Sequence, residues 1–113
     1  MSDCLFCGIA AGDIPADVIY RDEDFVVFRD IVPTAPTHIL VIPVQHHENI
    51  AELANADVEL AGRFVQTATT VARQEGVHEG FRLVTNTGDE GGQSVRHVHL
   101  HVLGGRQLGW PAG

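Results

Sequence analysis

Residues 97–105 read "HVHLHVLGG", with histidine on three alternate positions and Val98, Leu100 and Val102 between and after them. In an extended segment successive side chains point to opposite faces, so His97, His99 and His101 share one face and the apolar residues the other. The apolar face belongs against a core. Histidine is not a strong strand former and protonated neighbours repel one another, so three imidazoles on the remaining face point to a site.

Two kinds of site use such a row. A metal centre takes neutral imidazoles as ligands and adds a carboxylate or a further histidine. A nucleophilic centre attacks with one imidazole while its neighbours fix the tautomer and neutralise charge on the substrate. The stretch just upstream, "TGDEGGQS" at 87–94, carries small side chains and backbone N–H groups that can approach an oxyanion closely. That neighbourhood favours phosphorus chemistry.

The rest of the chain supplies a frame. Residues 18–30, "VIYRDEDFVVFRD", read as two strands joined by an acidic turn at 21–24. "IVPTAPT" at 31–37 holds two prolines and cannot join a ladder, whereas "HILVIP" at 38–43 is a buried-strand run closed by Pro43. Then the period changes: Leu60, Ala61, Phe64, Val65, Ala68, Val71 and Ala72 mark one face of a long helix that ends at Gly76 and is capped by Asn55 or Asp57. A short helix over 48–53 precedes it. "FRLVTN" at 81–86 and "HVHLHVL" at 97–103 read as the last two strands. This order predicts an α+β fold, one domain over 1–113, with a five-stranded antiparallel sheet, one long helix and one short one.

Composition narrows the function classes. The chain is 44% hydrophobic and 19% charged, an ordinary globular balance. Its formal net charge of -8, with only seven Lys and Arg, argues against nucleic acid as a partner, and no apolar run is long enough to call for a membrane. The start, "MSDCLFCGIAAGDIPADVIY", does not resemble a secretory signal, so a cytoplasmic location is expected. Cys4 and Cys7 are the only cysteines, and their spacing suggests a metal half-site or a redox pair.

"HVHLHVL" matches in full the His-Φ-His-Φ-His-Φ-Φ signature, Φ being apolar, of the histidine triad superfamily of nucleotide hydrolases and transferases. "DIVPTAPTHILVIP" at 30–43, "GGQSVRHVHLHVLGGRQ" at 91–107 and "WPAG" at 110–113 resemble its Hint branch, the purine nucleoside phosphoramidate hydrolases. The similarity runs from "CLFCGIAAGDIPADVIYRDE" to Gly113. It implies a HIT-like fold whose sheet extends across a homodimer. The implied activity is hydrolysis at the α-phosphorus of purine nucleoside 5′-monophosphate derivatives, phosphoramidates and acyl-adenylates among them.

The same resemblance implies roles for individual residues. His99 would be the nucleophile, forming a covalent nucleotidyl-histidine intermediate that water cleaves; a neutral imidazole attacks at pH 7 and leaves readily once protonated. His101 would contact the same phosphate, His97 would orient its neighbours, and His38 corresponds to a further histidine beside the triad. Ser94 would stand by the leaving group as a proton donor or relay. Gly92 and Gln93 would touch the phosphate from the loop, Asn86 would hydrogen-bond a phosphate oxygen, and Asp30 would take both ribose hydroxyls. Leu5, Phe6, Ile9, Phe28 and Ile31 would line a purine slot for AMP, GMP or adenosine derivatives, with no cofactor required for catalysis.

Cys4, Cys7, His46 and His97 match the zinc set of some bacterial members and of the related galactose-1-phosphate uridylyltransferases. Such a structural zinc would brace His97; His47 in place of His46, or two reduced thiols without metal, are the alternatives. Trp110 would cross the two-fold axis to border the partner's site, although Gly109 before it departs from the better-studied pattern. A reading of another class makes the protein a nucleotide-binding regulatory adaptor with incidental hydrolase activity. A third puts a catalytic metal on His97, His99 and His101.

Overall fold

The structure, a computed structural model, describes residues 4–113. The chain runs α1 (Leu5–Ala11), β1 (Val18–Arg21), β2 (Phe25–Arg29), β3 (Thr37–Pro43), α2 (Ile50–Ala56), α3 (Val58–Gln74), β4 (Phe81–Val84) and β5 (Leu100–Gly104). All four ladders are antiparallel, and the sheet order is β1-β2-β3-β5-β4. The predicted α+β class and five-stranded sheet are therefore present, and one helix more than the sequence pattern suggested.

The extra helix is α1. Cys4 caps its start, with its Sγ accepting from the Cys7 N–H at 3.2 Å, and Gly12 ends it in the left-handed conformation at φ 84°. Phe6, Ile9 and Ala10, spaced three and four apart, are its buried face. The two later helices begin close to the expected places. Asn49 caps α2 through the Glu52 N–H, and Asp57 caps α3 through the Leu60 N–H, each at 2.9 Å. Asn55 is not the cap; it lies inside α2.

Alternation along the strands splits the sheet into two faces. Phe25, Val27, Ile39, Val41, Leu100 and Val102 pack with Leu53 of α2 and with Leu60, Phe64, Ala68, Val71 and Ala72 of α3. Val98, just ahead of β5, joins that cluster, so Val98, Leu100 and Val102 form the apolar row that the triad pattern required. Val26, Phe28, Leu40 and Ile42 point the other way and pack against Phe6, Ile9 and Ala10 of α1. The functional side chains lie on this second face.

The last strand is shorter than 97–103. Its ladder starts at Leu100, while Val98 donates its N–H to the His47 carbonyl at 2.8 Å, so residues 97–99 are tied to the segment after β3 and not to β3 itself. β4 likewise stops at Val84, leaving Thr85 and Asn86 beyond it.

Candidate active site and metal centre

Strand register brings the first pair of histidines together. His38 lies opposite Leu103 and His101 opposite Leu40, which makes His38 and His101 diagonal neighbours on one face. Their rings meet with His38 Nε2 2.9 Å from His101 Nδ1. Asp30, just past β2, donates its backbone N–H to the His38 carbonyl at 3.0 Å and sets a carboxylate oxygen 3.3 Å from His38 Nε2.

A backbone group decides which way this pair is polarised. The Thr34 N–H donates to His38 Nδ1 at 3.1 Å, so in the neutral ring the proton sits on Nε2. That Nε2–H donates to His101 Nδ1 and to Asp30. With Nδ1 of His101 accepting, its own proton is on Nε2, where it is a hydrogen-bond donor. Burial, and then the nearby His99 and His38, lower the His101 pKa from 6.5 to about 4, which keeps this neutral donor form at neutral pH.

His99 has the opposite tautomer. Its Nδ1 lies 2.8 Å from the His97 carbonyl oxygen, which can only accept, so Nδ1 carries the proton and Nε2 keeps a free lone pair. The ring stands edge-on to Phe6 with centroids 5.0 Å apart and is 5.1 Å from His101. Burial pushes its pKa down and so favours the neutral, attacking form.

These groups open on a cavity of about 360 Å³ between α1 and the sheet. Leu5, Phe6, Ile9, Phe28 and Ile31 line it, joined by Ile14, Pro15, Ala16, Leu40 and Val95. Asp30, Ser94, His99 and His101 supply its polar atoms. An apolar slot with a few convergent polar groups at one end suits a flat base attached to a sugar phosphate.

Three of the loop residues predicted to touch phosphate do not line this cavity. Gln93 is buried and fully engaged: its Nε2 donates to the Glu48 and Val95 carbonyls, and its Oε1 accepts from the Gly88 N–H and from Arg96. It acts as the clamp of the loop. Gly92 gives its N–H to the Asp89 carbonyl at a left-handed φ of 82°, and Asn86 is half-buried beyond β4.

His97 faces a different centre. Its Nε2–H donates to the Pro43 carbonyl at 2.9 Å, which turns an unprotonated Nδ1 toward Cys4 Sγ at 3.3 Å, Cys7 Sγ at 3.4 Å and His46 Nδ1 at 3.2 Å. Cys7 Sγ is also 3.2 Å from His46 Nδ1. A tetrahedral zinc ion with ordinary Zn–S and Zn–N bonds has ligand–ligand edges of about 3.3–3.8 Å, so the four donors already stand close to the required spacing. Two thiols and two imidazoles form a closed structural set. His46 belongs to it and His47 does not; His47 is buried with Nε2 unpartnered. Among the described residues the donor atoms of His97, His99 and His101 form no common cluster, which weighs against one metal held by all three.

The sequence reading placed Leu5, Phe6 and Ile9 in the slot but missed the helix that carries them, and it missed the Thr34 backbone donor and the clamping role of Gln93. Phe6, Ile9 and Ala10 followed by Gly12 would have signalled α1. No residue-type pattern announces a backbone N–H aimed at a ring nitrogen.

The HIT domain family matches residues 11–108 of this chain. A HIT family hydrolase from Legionella pneumophila superposes with a TM-score of 0.94 at 49% identity, covering 98% of this chain and 100% of the other. A 14 kDa zinc-binding protein of Brassica juncea is 45% identical over 98% of this chain and 100% of its own length. An adenylylsulfatase of Arabidopsis thaliana is 44% identical over 99% of this chain and 78% of its own.

Proposed function

The chain belongs to the HIT domain family, and from that premise we propose that it is a nucleotide hydrolase acting at the α-phosphorus of purine nucleoside 5′-monophosphate derivatives. The hydrolase and adenylylsulfatase relatives support the general class. The single observation that carries the finer reading is the His99 tautomer. A carbonyl holds its Nδ1 proton, so the free Nε2 is the nucleophile at the polar end of an apolar slot.

In this reading Nε2 of His99 forms a bond to phosphorus while the bond from phosphorus to the leaving amine breaks, and the amine takes up a proton through the Ser94 hydroxyl. The ring becomes a nucleotidyl-imidazolium, whose positive charge the His97 carbonyl and the Asp30 carboxylate both favour. Water then attacks phosphorus from the side the amine has left, returning to Ser94 the proton it passed on, the P–N bond to His99 breaks, and AMP leaves with the neutral ring restored. His101 donates Nε2–H to a phosphate oxygen, fixed in that role by His38 and Thr34. Asp30 takes the ribose hydroxyls, exchanging its contact with His38 for them.

Zinc fits the Cys4, Cys7, His46 and His97 set, where it would supply a rigid tetrahedral anchor and no catalytic chemistry. We further infer a homodimer. β4 is an edge strand, and both Val65 of α3 and Trp110 are exposed, Trp110 to 85%, which supports a partner covering this side. A cytoplasmic setting would keep both thiols reduced and able to bind metal.

Incubation with adenosine 5′-phosphoramidate, with quenched samples read by mass spectrometry, tests the proposal. AMP release with an AMP adduct on His99 is expected. Tight AMP binding with neither release nor adduct would instead make the protein an adaptor.

A further inference from the structure

A second depression of about 460 Å³ adjoins the nucleotide cavity. Leu5, Ser94 and Val95 line both, so the two adjoin along these residues. On its far side stand His46, Glu48 and Arg96. A nucleoside monophosphate seated in the first cavity, with its phosphorus at His99, would send whatever is attached to that phosphorus past Ser94 and into the second.

Arg96 is the guanidinium of this second cavity, in a chain of net charge -8. Two contacts hold it in place: Nη1 donates to Gln93 Oε1 at 3.2 Å, and Nη2 pairs with the Asp89 carboxylate. Gln93 is the buried clamp of the loop, so the guanidinium is tied to a fixed point. The Asp89 side chain is 91% exposed, and water solvates it at little cost when another anion takes its place. A planar fork of N–H donors matches an oxyanion. Glu48 lies in the same cavity and repels negative charge, which disfavours a phosphate dianion more than a single carboxylate.

We propose that this cavity receives the leaving group and that Arg96 is a specificity-determining residue, selecting amines that carry a free carboxylate, as amino acids do. The inference rests on the hydrolase reading above and deepens it by naming the chemical class of the group released. An exposed ion pair of this kind is worth at most about fivefold in kcat/KM, and salt screens it.

The test compares the adenosine 5′-phosphoramidate of β-alanine with that of β-alanine methylamide, whose carboxylate is replaced by a neutral amide. The ratio of their kcat/KM values is taken in wild type, Arg96→Gln, Arg96→Lys and Glu48→Gln, because the ratio cancels intrinsic differences between the two amines. The ratio should fall about fivefold in Arg96→Gln, stay within about twofold of wild type in Arg96→Lys, and rise in Glu48→Gln. In wild type the preference should shrink between 0.05 and 0.5 M salt. An unchanged ratio in Arg96→Gln and Glu48→Gln, with both substrates still turned over, overturns this assignment and leaves the hydrolase reading standing. Should Arg96→Gln fail to fold, the Lys and Glu48 variants still decide. An aminoalkyl phosphate leaving group preferred over β-alanine would show a phosphate site and also overturn it. Failure of wild type to cleave either phosphoramidate removes the hydrolase reading, and this inference with it.

Discussion

The Nδ1 of His99 stands 2.8 Å from the carbonyl oxygen of His97, two residues earlier on its own chain. The tautomer of His99, the proposed nucleophile, is therefore set by local backbone, with no side chain from elsewhere needed to hold it. Replacing His99 by Ala should lower kcat on adenosine 5′-phosphoramidate by at least about 10⁴-fold, as loss of a covalent nucleophile does. Steady-state AMP release and the absence of an adduct in quenched samples check it.

In the proposed mechanism His38 acts only through His101, whose Nδ1 lies 2.9 Å from His38 Nε2. His38→Phe breaks the chain from the Thr34 N–H to His101 Nδ1 and should cost about 10–100-fold in kcat, with a smaller change in KM. His38→Gln, whose amide N–H can still reach His101, should recover part of that loss. Parallel kinetics on the two variants, with circular dichroism to confirm folding, separate positioning from collapse.

His97 Nδ1 and the three donors around it predict one zinc per chain. Cys7→Ser should abolish binding, read by a colorimetric zinc assay after unfolding. Zinc added to wild-type apoprotein should raise Tm by several degrees, and addition to Cys7→Ser should not.

His101 ties stability to acid. Its folded pKa of about 4 lies below the 6.5 of a free ring. Above pH 6.5 the ring is neutral in both states and contributes no pH dependence. As pH falls below 6.5 the unfolded chain takes up a proton that the folded chain refuses, so stability declines until about pH 4 and then levels off. Urea midpoints from pH 7 to 4 should therefore fall more steeply in wild type than in His101→Gln. The acid limb of kcat/KM should likewise lie below pH 6.5.

Phe64 and Phe28 occupy opposite faces of the sheet. Phe64→Ala opens a void in the larger cluster and should destabilise by about 3–5 kcal/mol with little change in KM. Phe28 belongs to both the slot and the smaller cluster, so Phe28→Ala should raise KM for purine substrates in addition to destabilising the fold. Urea denaturation and KM measured on both variants make the contrast.

Much of this was legible in the chain. The alternation at 97–102 fixes which side chains face the core, because a period of two survives even where the ladder itself has not yet begun. The helical face from Leu60 to Ala72 is equally plain, since its apolar spacing is long and regular. The first helix carried a signal in Phe6, Ile9 and Ala10 ahead of Gly12, but a faint one, because its seven residues make only about two turns and Cys4 and Cys7 draw attention to metal chemistry. Gln93 misled for another reason. A glutamine in a glycine-rich loop reads as a ligand contact, and only the folded loop shows its amide already satisfied by Glu48, Val95 and Gly88. The relay through Thr34 depends on where a turn aims one N–H, which residue identity does not encode.

The two faces of the sheet share no residue between the larger hydrophobic cluster and the lining of the cavity between α1 and the sheet. Phe6, Ile9, Phe28 and Leu40 nevertheless belong both to that lining and to the smaller hydrophobic cluster, so mutations that reshape the slot disturb the packing of α1 while sparing that of α3. A lineage carrying this scaffold can explore new chemistry on one side of its sheet while the other side preserves most of its foldability, and the repairs such changes call for are confined to the first helix and the strand faces beneath it.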